Sequence, residues 1–158
     1  MGKSLGQCVV LALAGMIAGL SFNAVSPKKL PLVPPKDQTA QGFRMVTSDE
    51  VKYYIHEEKG TVVVDARSHE EFSLGHIPGA VNIPEDDFDA SFAKVKASLE
   101  NAKTIIIYCS GGSCSTSEMV AEMLRDKGRL PAGKLWIYTD GFPGWMRGKN
   151  KIESGMQP

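Results

Sequence analysis

Residues 105–128 read IIIYCSGGSCSTSEMVAEMLRDKG. A β-branched apolar run suited to a buried strand ends in Cys109, two glycines follow, and a second cysteine stands at 114 before a helical pattern begins. In that pattern Met119, Val120, Met123 and Leu124 are expected inward, the charges outward, and Gly128 as terminator. Glycines let a chain curl until successive N–H groups converge on one point. The start of a helix adds roughly half a positive charge at the same spot. A thiol held there ionises more readily than a free cysteine, whose pKa is about 8.5, and the same cradle suits a persulfide or a small oxyanion. A buried structural cysteine has no use for such a layout. Cys109 is therefore the candidate nucleophile, and Ser110, Gly111, Gly112, Ser113, Cys114 and Ser115 form the candidate substrate-binding loop.

Outward from this stretch the same alternation recurs. TSDEVKYYIHEEKG (47–60) places Thr47 and Glu50 at capping-box spacing, sets Val51, Tyr54 and Ile55 on one face, and stops at Gly60. TVVVDA (61–66) reads as a strand buried on both faces, and AVNIP (80–84) as a shorter one closed by Pro84. DDFDASFAKVKASL (86–99) carries Phe88, Phe92, Val95 and Leu99 on one helical stripe. KLWIYT (134–139) is a further strand, and GFPGWMRGKN (141–150) a short final helix or turn. Strands alternating with helices predict an α/β fold: a central, mostly parallel sheet flanked by helices in three layers.

The 158 residues hold 18 lysines and arginines against 18 acidic residues, so no global field recruits nucleic acid. Three cysteines (Cys8, Cys109, Cys114) are too few for a disulfide scaffold. The scattered histidines lack metal-ligand spacing, so neither a metal nor a cofactor is expected. His56 and His69 are expected to face solvent.

Residues 1–26 carry one lysine and then an apolar, small-residue run from Cys8 to Leu20. That form predicts that residues 1–26 are a signal peptide or an uncleaved N-terminal membrane anchor, with residues 8–25 as the tether if uncleaved, and hence an exported, periplasmic or extracytoplasmic protein. Lys28, Lys29 and Lys36 beyond the run do not favour export by the charge rule, whereas the form of the segment does. Residues 27–42 are Pro- and Lys-rich and predict an extended linker. The globular domain is expected over 43–150 and a tail over 151–158.

DARSHEEFSLGHIPGAVNIP (65–84), the cysteine loop and GFPGW (141–145) stand in the order and spacing of the rhodanese family, which the chain resembles over Phe43 to Asn150. The resemblance implies the rhodanese-like fold and a sulfurtransferase whose Cys109 takes sulfane sulfur from a donor such as thiosulfate. The persulfide so formed would pass its sulfur to a thiol, a cyanide-like acceptor or a protein thiol. In the common family loop, C-R-x-G-x-R-S, an arginine occupies the place of Cys114. Here the loop is C-S-G-G-S-C-S, which leaves activation to amides and the helix end and disfavours efficient turnover of the thiosulfate dianion. Related rhodanese-like proteins with C-x-G-x-x-C before a serine are similar to this arrangement.

Three readings of Cys114 stay open: a small packed residue, a thiol that resolves the persulfide on Cys109, or half of a thiol–disulfide switch without sulfur transfer. Bridging would need Cα atoms within about 7 Å. A noncatalytic binding module is the rival from another class, and retention of the cysteine argues against it. Phosphoryl transfer would need a loop one residue longer and an arginine clamp. Within 65–84, Asp65, Arg67, Glu71 and His76 are read as structural, with Arg67 pairing Glu71 across the turn and His76 bonding backbone. Arg67 is kept as a candidate anion contact. Phe142 and Trp145 are expected as a packing lid, and Asp140-Gly141 as a turn bordering the pocket.

Overall fold

The computed structural model describes residues 42–112 and 115–156, together with Thr39, Ala40 and six earlier positions. Its two compact units are Met1–Lys36 and Asp37–Pro158. In the first, Gly6, Val9, Leu11, Leu13, Gly15 and Ser21 are helical and exposed, while the rest of the expected leader or anchor and most of the linker lie outside the described residues. Among the described residues no helix is long and apolar enough to cross a membrane.

The second unit is built on strands β1 (Thr39–Ala40), β2 (Phe43–Val46), β3 (Thr61–Asp65), β4 (Val81–Asn82), β5 (Thr104–Tyr108) and β6 (Leu135–Tyr138). They form one sheet in the order β1-β2-β6-β5-β3-β4. Only the β1/β2 pair is antiparallel. Between the strands run helices α1 (Ser48–Glu57), α2 (His69–Leu74), α3 (Phe88–Asn101), α4 (Thr116–Asp126) and α5 (Gly141–Arg147).

Strand β5 lies at the centre and is buried along its whole length. Period-two geometry divides its side chains between two cores. Ile105, Ile107 and Cys109 join Phe88, Val95 and Leu99 of α3 and Val120, Ala121 and Leu124 of α4. Ile106 and Tyr108 join Val51 of α1, Phe72 of α2 and Trp145 of α5. A sheet covered on both faces needs such β-branched runs, each buried side chain contributing about 1.5–3 kcal/mol. The three-layer α/β architecture is thus the one the alternation of elements predicts.

Local chemistry sets the helix boundaries. At α1 the capping box is closed: the Thr47 side chain accepts from the Glu50 backbone and Glu50 accepts from the Thr47 backbone at 2.9 Å. Burial tends to raise the Glu50 carboxyl, but its bonds to Thr47 and Arg44 outweigh this and hold it below its ordinary value. Ser68 caps α2 in the same way through the Glu71 N–H.

One sequence expectation shifts. In α4 the small residues Ser117 and Ala121 are buried beside Val120 and Leu124, and Met119 and Met123 are only partly covered. The helix rests on the sheet through its short side chains, which turns its inward stripe away from Met119. At its end the left-handed residue is Arg129 (φ 55°). Gly128 stands just past the C-cap Lys127, as the terminator the sequence predicts, and its N–H donates to the Met123 carbonyl at 3.1 Å; a Cβ there would come 2.5 Å from the Leu124 carbonyl oxygen.

Candidate active site

The carboxyl ends of β3, β4 and β5 open onto a cavity of about 390 Å³. Ala66, Arg67 and Ser68 line it from the β3–α2 turn, Pro84, Glu85 and Asp86 from the β4–α3 turn, and Cys109, Ser110 and Thr116 from the loop between β5 and α4. Glu71 of α2 completes the rim. In a parallel sheet this is the edge where the loops diverge and a ligand can enter.

Cys109 follows β5 directly and is 2% exposed. The chain then turns through Gly111 (φ 74°) and Gly112 (φ 69°), a left-handed pair that only glycine adopts without strain. Ser113 and Cys114 lie outside the described residues, so the site is described without them. Ser115 occupies the N-cap of α4, but its side chain makes no capping hydrogen bond.

The loop is fixed from the far side by α5. The Phe142 N–H donates to the Cys109 carbonyl at 2.9 Å. A Cβ on Gly111 would lie 2.6 Å from the Asp140 carbonyl oxygen, and one on Gly141 would lie 2.5 Å from the Cys109 carbonyl oxygen. Two main-chain segments therefore touch with no room for side chains between them. The Asp140-Gly141 turn borders the cysteine loop rather than lining the cavity itself. Trp145 is buried and donates to the Lys151 carbonyl at 2.7 Å, while Phe142 lies under the Arg67 guanidinium, whose carbon is 4.0 Å from the ring centre.

Arg67 lines the cavity, yet its partner is Asp65 and not Glu71. Its Nε donates to Asp65 at 3.0 and 3.2 Å, and its Nη2 donates to Asp65 and, at 2.7 Å, to the Gly75 carbonyl. Burial tends to lower the guanidinium's pKa, and its hydrogen bonds and charge pairing with Asp65 outweigh this and raise it. Asp65 also accepts from the Tyr108 hydroxyl, which in turn accepts from the Ile77 N–H at 3.1 Å. Burial, reinforced by the neighbouring Asp65 charge, pushes the Tyr108 hydroxyl well above its ordinary range. Sequence reasoning missed this Asp65–Arg67–Tyr108 knot, although the alignment of the ends of β3 and β5 pairs Asp65 with Tyr108 directly.

Glu71 instead accepts from Ser110 of the cysteine loop at 3.2 Å and from Ser68 at 3.4 Å. His76 is buried, stacks on Phe72 at 3.7 Å between ring centres, and donates from Nδ1 to the Phe72 carbonyl at 2.9 Å. His56 is exposed. His69 is half-exposed but engaged, with Asn82 at 2.6 Å and Asp87 at 3.0 Å. The His69 and Ser91 hydrogen bonds hold the Asp87 carboxyl below its usual range.

Residues 47–147 match the family model described as rhodanese-like domain. An HTH-type transcriptional regulator of Mycobacterium tuberculosis is 42% identical over 85 residues, which are 51% of this chain and 36% of that protein. A tRNA uridine(34) hydroxylase of Buchnera aphidicola is 38% identical over 88 residues, 54% of this chain and 23% of that one. The chain thus spans well under half the length of these two curated relatives. Among solved structures, a Bacillus halodurans protein matches with TM-score 0.60 at 24% identity, over 70% of this chain and 76% of that one. A 3-mercaptopyruvate sulfotransferase of Escherichia coli, whose fold is described as rhodanese, matches with TM-score 0.55 at 25% identity, over 72% and 52%.

Proposed function

The chain belongs to the rhodanese-like domain family, and we propose that it is a sulfurtransferase whose Cys109 carries sulfane sulfur as a persulfide. The observation that carries this reading is a cysteine at a central strand end, inside a cavity, followed by a left-handed Gly-Gly turn into α4. Main-chain dipoles favour the thiolate there, and the thiolate is the reactive form. It attacks the outer sulfur of a donor; a new S–S bond forms, the donor's own bond breaks, and the electron pair leaves with the donor's remainder. A thiol or cyanide-like acceptor then takes the outer sulfur and returns the thiolate. The amides of residues 111–114 and the Ser115 hydroxyl hold the terminal sulfur anion between the two steps. Ser115 is suited to this because no capping bond engages its side chain. Cys114 acts at release: its thiolate bonds to the Cys109 sulfur, the bond to the outer sulfur breaks, sulfide leaves with the electron pair, and an external thiol reduces the resulting disulfide. The apolar run at residues 8–25 supports a location outside the cytoplasm, with the domain delivered or tethered by that segment.

The test is intact-mass spectrometry of the full chain after exposure to a sulfane donor. One added sulfur atom, removable by reductant, is expected; Cys109→Ser abolishes it and lowers transfer by roughly a thousand-fold or more. Cys114→Ser keeps the loading and changes the rate of release. Absence of any sulfur adduct on the native chain overturns the proposal.

A further inference from the structure

The groups that attract and repel anions are arranged at different depths of the cavity. At its base lie Cys109 and the start of α4, where Thr116 lines the wall. Around it stand three carboxylates, Glu71, Glu85 and Asp86, all on exposed residues. Among the described residues of the lining, Arg67 is the one cationic side chain. Its charge is matched at once by the fully buried Asp65, and its Nε and Nη2 are engaged by Asp65 and Gly75. Among the described residues Glu85 and Asp86 enter no ion pair, so their charge is uncompensated where a ligand must pass. Glu71 is held toward the loop by Ser110 and cannot turn away without breaking that bond.

We propose that Glu71, Glu85 and Asp86 determine specificity: the cavity admits neutral or cationic sulfur carriers and disfavours dianions such as thiosulfate. As a statement about substrate, this rests on the sulfurtransferase reading; as a statement about access to Cys109, it stands on the lining alone. Main-chain dipoles act over the first turn of a helix and stabilise an anion already formed on the sulfur. Exposed side-chain charges at the mouth act further out, over about a Debye length, and filter what arrives. The two effects therefore act at different steps, one holding the sulfur and the other choosing its bearer.

Three methanethiosulfonates of similar size test this on the full chain: one with a trimethylammonium group, one neutral, and one with a sulfonate. In each, the Cys109 thiolate bonds to the sulfenyl sulfur, the S–S bond breaks, and methanesulfinate leaves with the electron pair. The thiol proton goes to solvent, and no further oxidant is needed. Adducts are assigned to Cys109 by peptide fragmentation, and rates are divided by those of a small free thiol. At low salt the cationic reagent should outpace the anionic one by ~10-fold, narrowing to ~3-fold or less in about 0.5 M salt. Glu85→Gln with Asp86→Asn should cut the low-salt ratio by at least ~3-fold. Transfer from thiosulfate should rise in the same double variant relative to transfer from a neutral donor. Equal or faster reaction of the sulfonate overturns the specificity proposal, and so does a ratio indifferent to both salt and the double variant. Failure of all three reagents, the neutral one included, overturns the reactive-thiol reading and this proposal with it. A charge preference without sulfur loading from any donor overturns the functional reading alone.

Discussion

Strands β3 and β5 are neighbours in register and end at the same edge of the sheet, yet their ends solve opposite problems. At the end of β3 charge is turned inward: Asp65 and Arg67 satisfy each other, the Gly75 carbonyl accepts from Arg67, and the Tyr108 hydroxyl reaches across from the last residue of β5 to donate to Asp65. At the end of β5, among the described residues, there is no charged side chain, only a thiol, two left-handed glycines and a helix start without a side-chain cap. A closed ionic knot contributes rigidity, and the main-chain dipoles of a helix start are the groups proposed to attract an anion. Placed side by side, the first holds the scaffold on which the second can remain open.

Breaking the knot should have the largest effect on stability. Asp65→Ala leaves a buried guanidinium and a buried hydroxyl without their partner, and is expected to cost about 3–5 kcal/mol by denaturant unfolding. A loss below about 1 kcal/mol would mean that the edge is not organised by charge pairing. Tyr108→Phe removes one hydroxyl from the same knot and should cost about 1–3 kcal/mol at neutral pH. It should also change the alkaline limb. The folded-state pKa of Tyr108 is raised above its ordinary value of 10.0, first by burial and then by Asp65. Its contribution to stability is therefore complete below that value and is progressively lost above it, as the unfolded chain ionises. Stability measured across that range should fall more steeply for the native chain than for Tyr108→Phe.

The smallest effects sharpen the contrast between helix ends. Thr47→Ala opens the capping box of α1 and should cost about 1 kcal/mol. Ser115→Ala, at an N-cap with no side-chain bond to lose, should cost less than about 0.5 kcal/mol while weakening retention of the loaded sulfur. Equal stability losses at the two caps would show that α4 is capped like α1, and would remove the Ser115 hydroxyl from the site.

Strongly periodic features were legible before any coordinates. The α1 capping box, the buried run of β5 and the Phe88–Val95–Leu99 stripe all follow from spacing, because backbone geometry alone dictates it. Strand β2 was harder to see: FRMV is four residues long, and its alternation is broken by a half-buried Met45 at the covered edge between β1 and β6. The tilt of α4 escaped because hydrophobicity favours Met119, whereas close approach to the sheet favours Ser117 and Ala121. Within the site, spacing located Cys109 and its glycines but assigned Arg67 the wrong partner. Residues two apart in sequence, Asp65 and Arg67, meet only because the chain bends sharply on leaving β3.

The contact between Gly111 and Gly141 has a consequence for biosynthesis. As the polypeptide emerges, the segment bearing Cys109 is made some thirty residues before the glycine on which its loop rests, a spacing given by positions 111 and 141. Until that later stretch is free to dock, nothing holds the loop in its left-handed turn. A nascent chain therefore lacks this support, and the reactivity proposed for Cys109 is expected only once translation has passed the final helix.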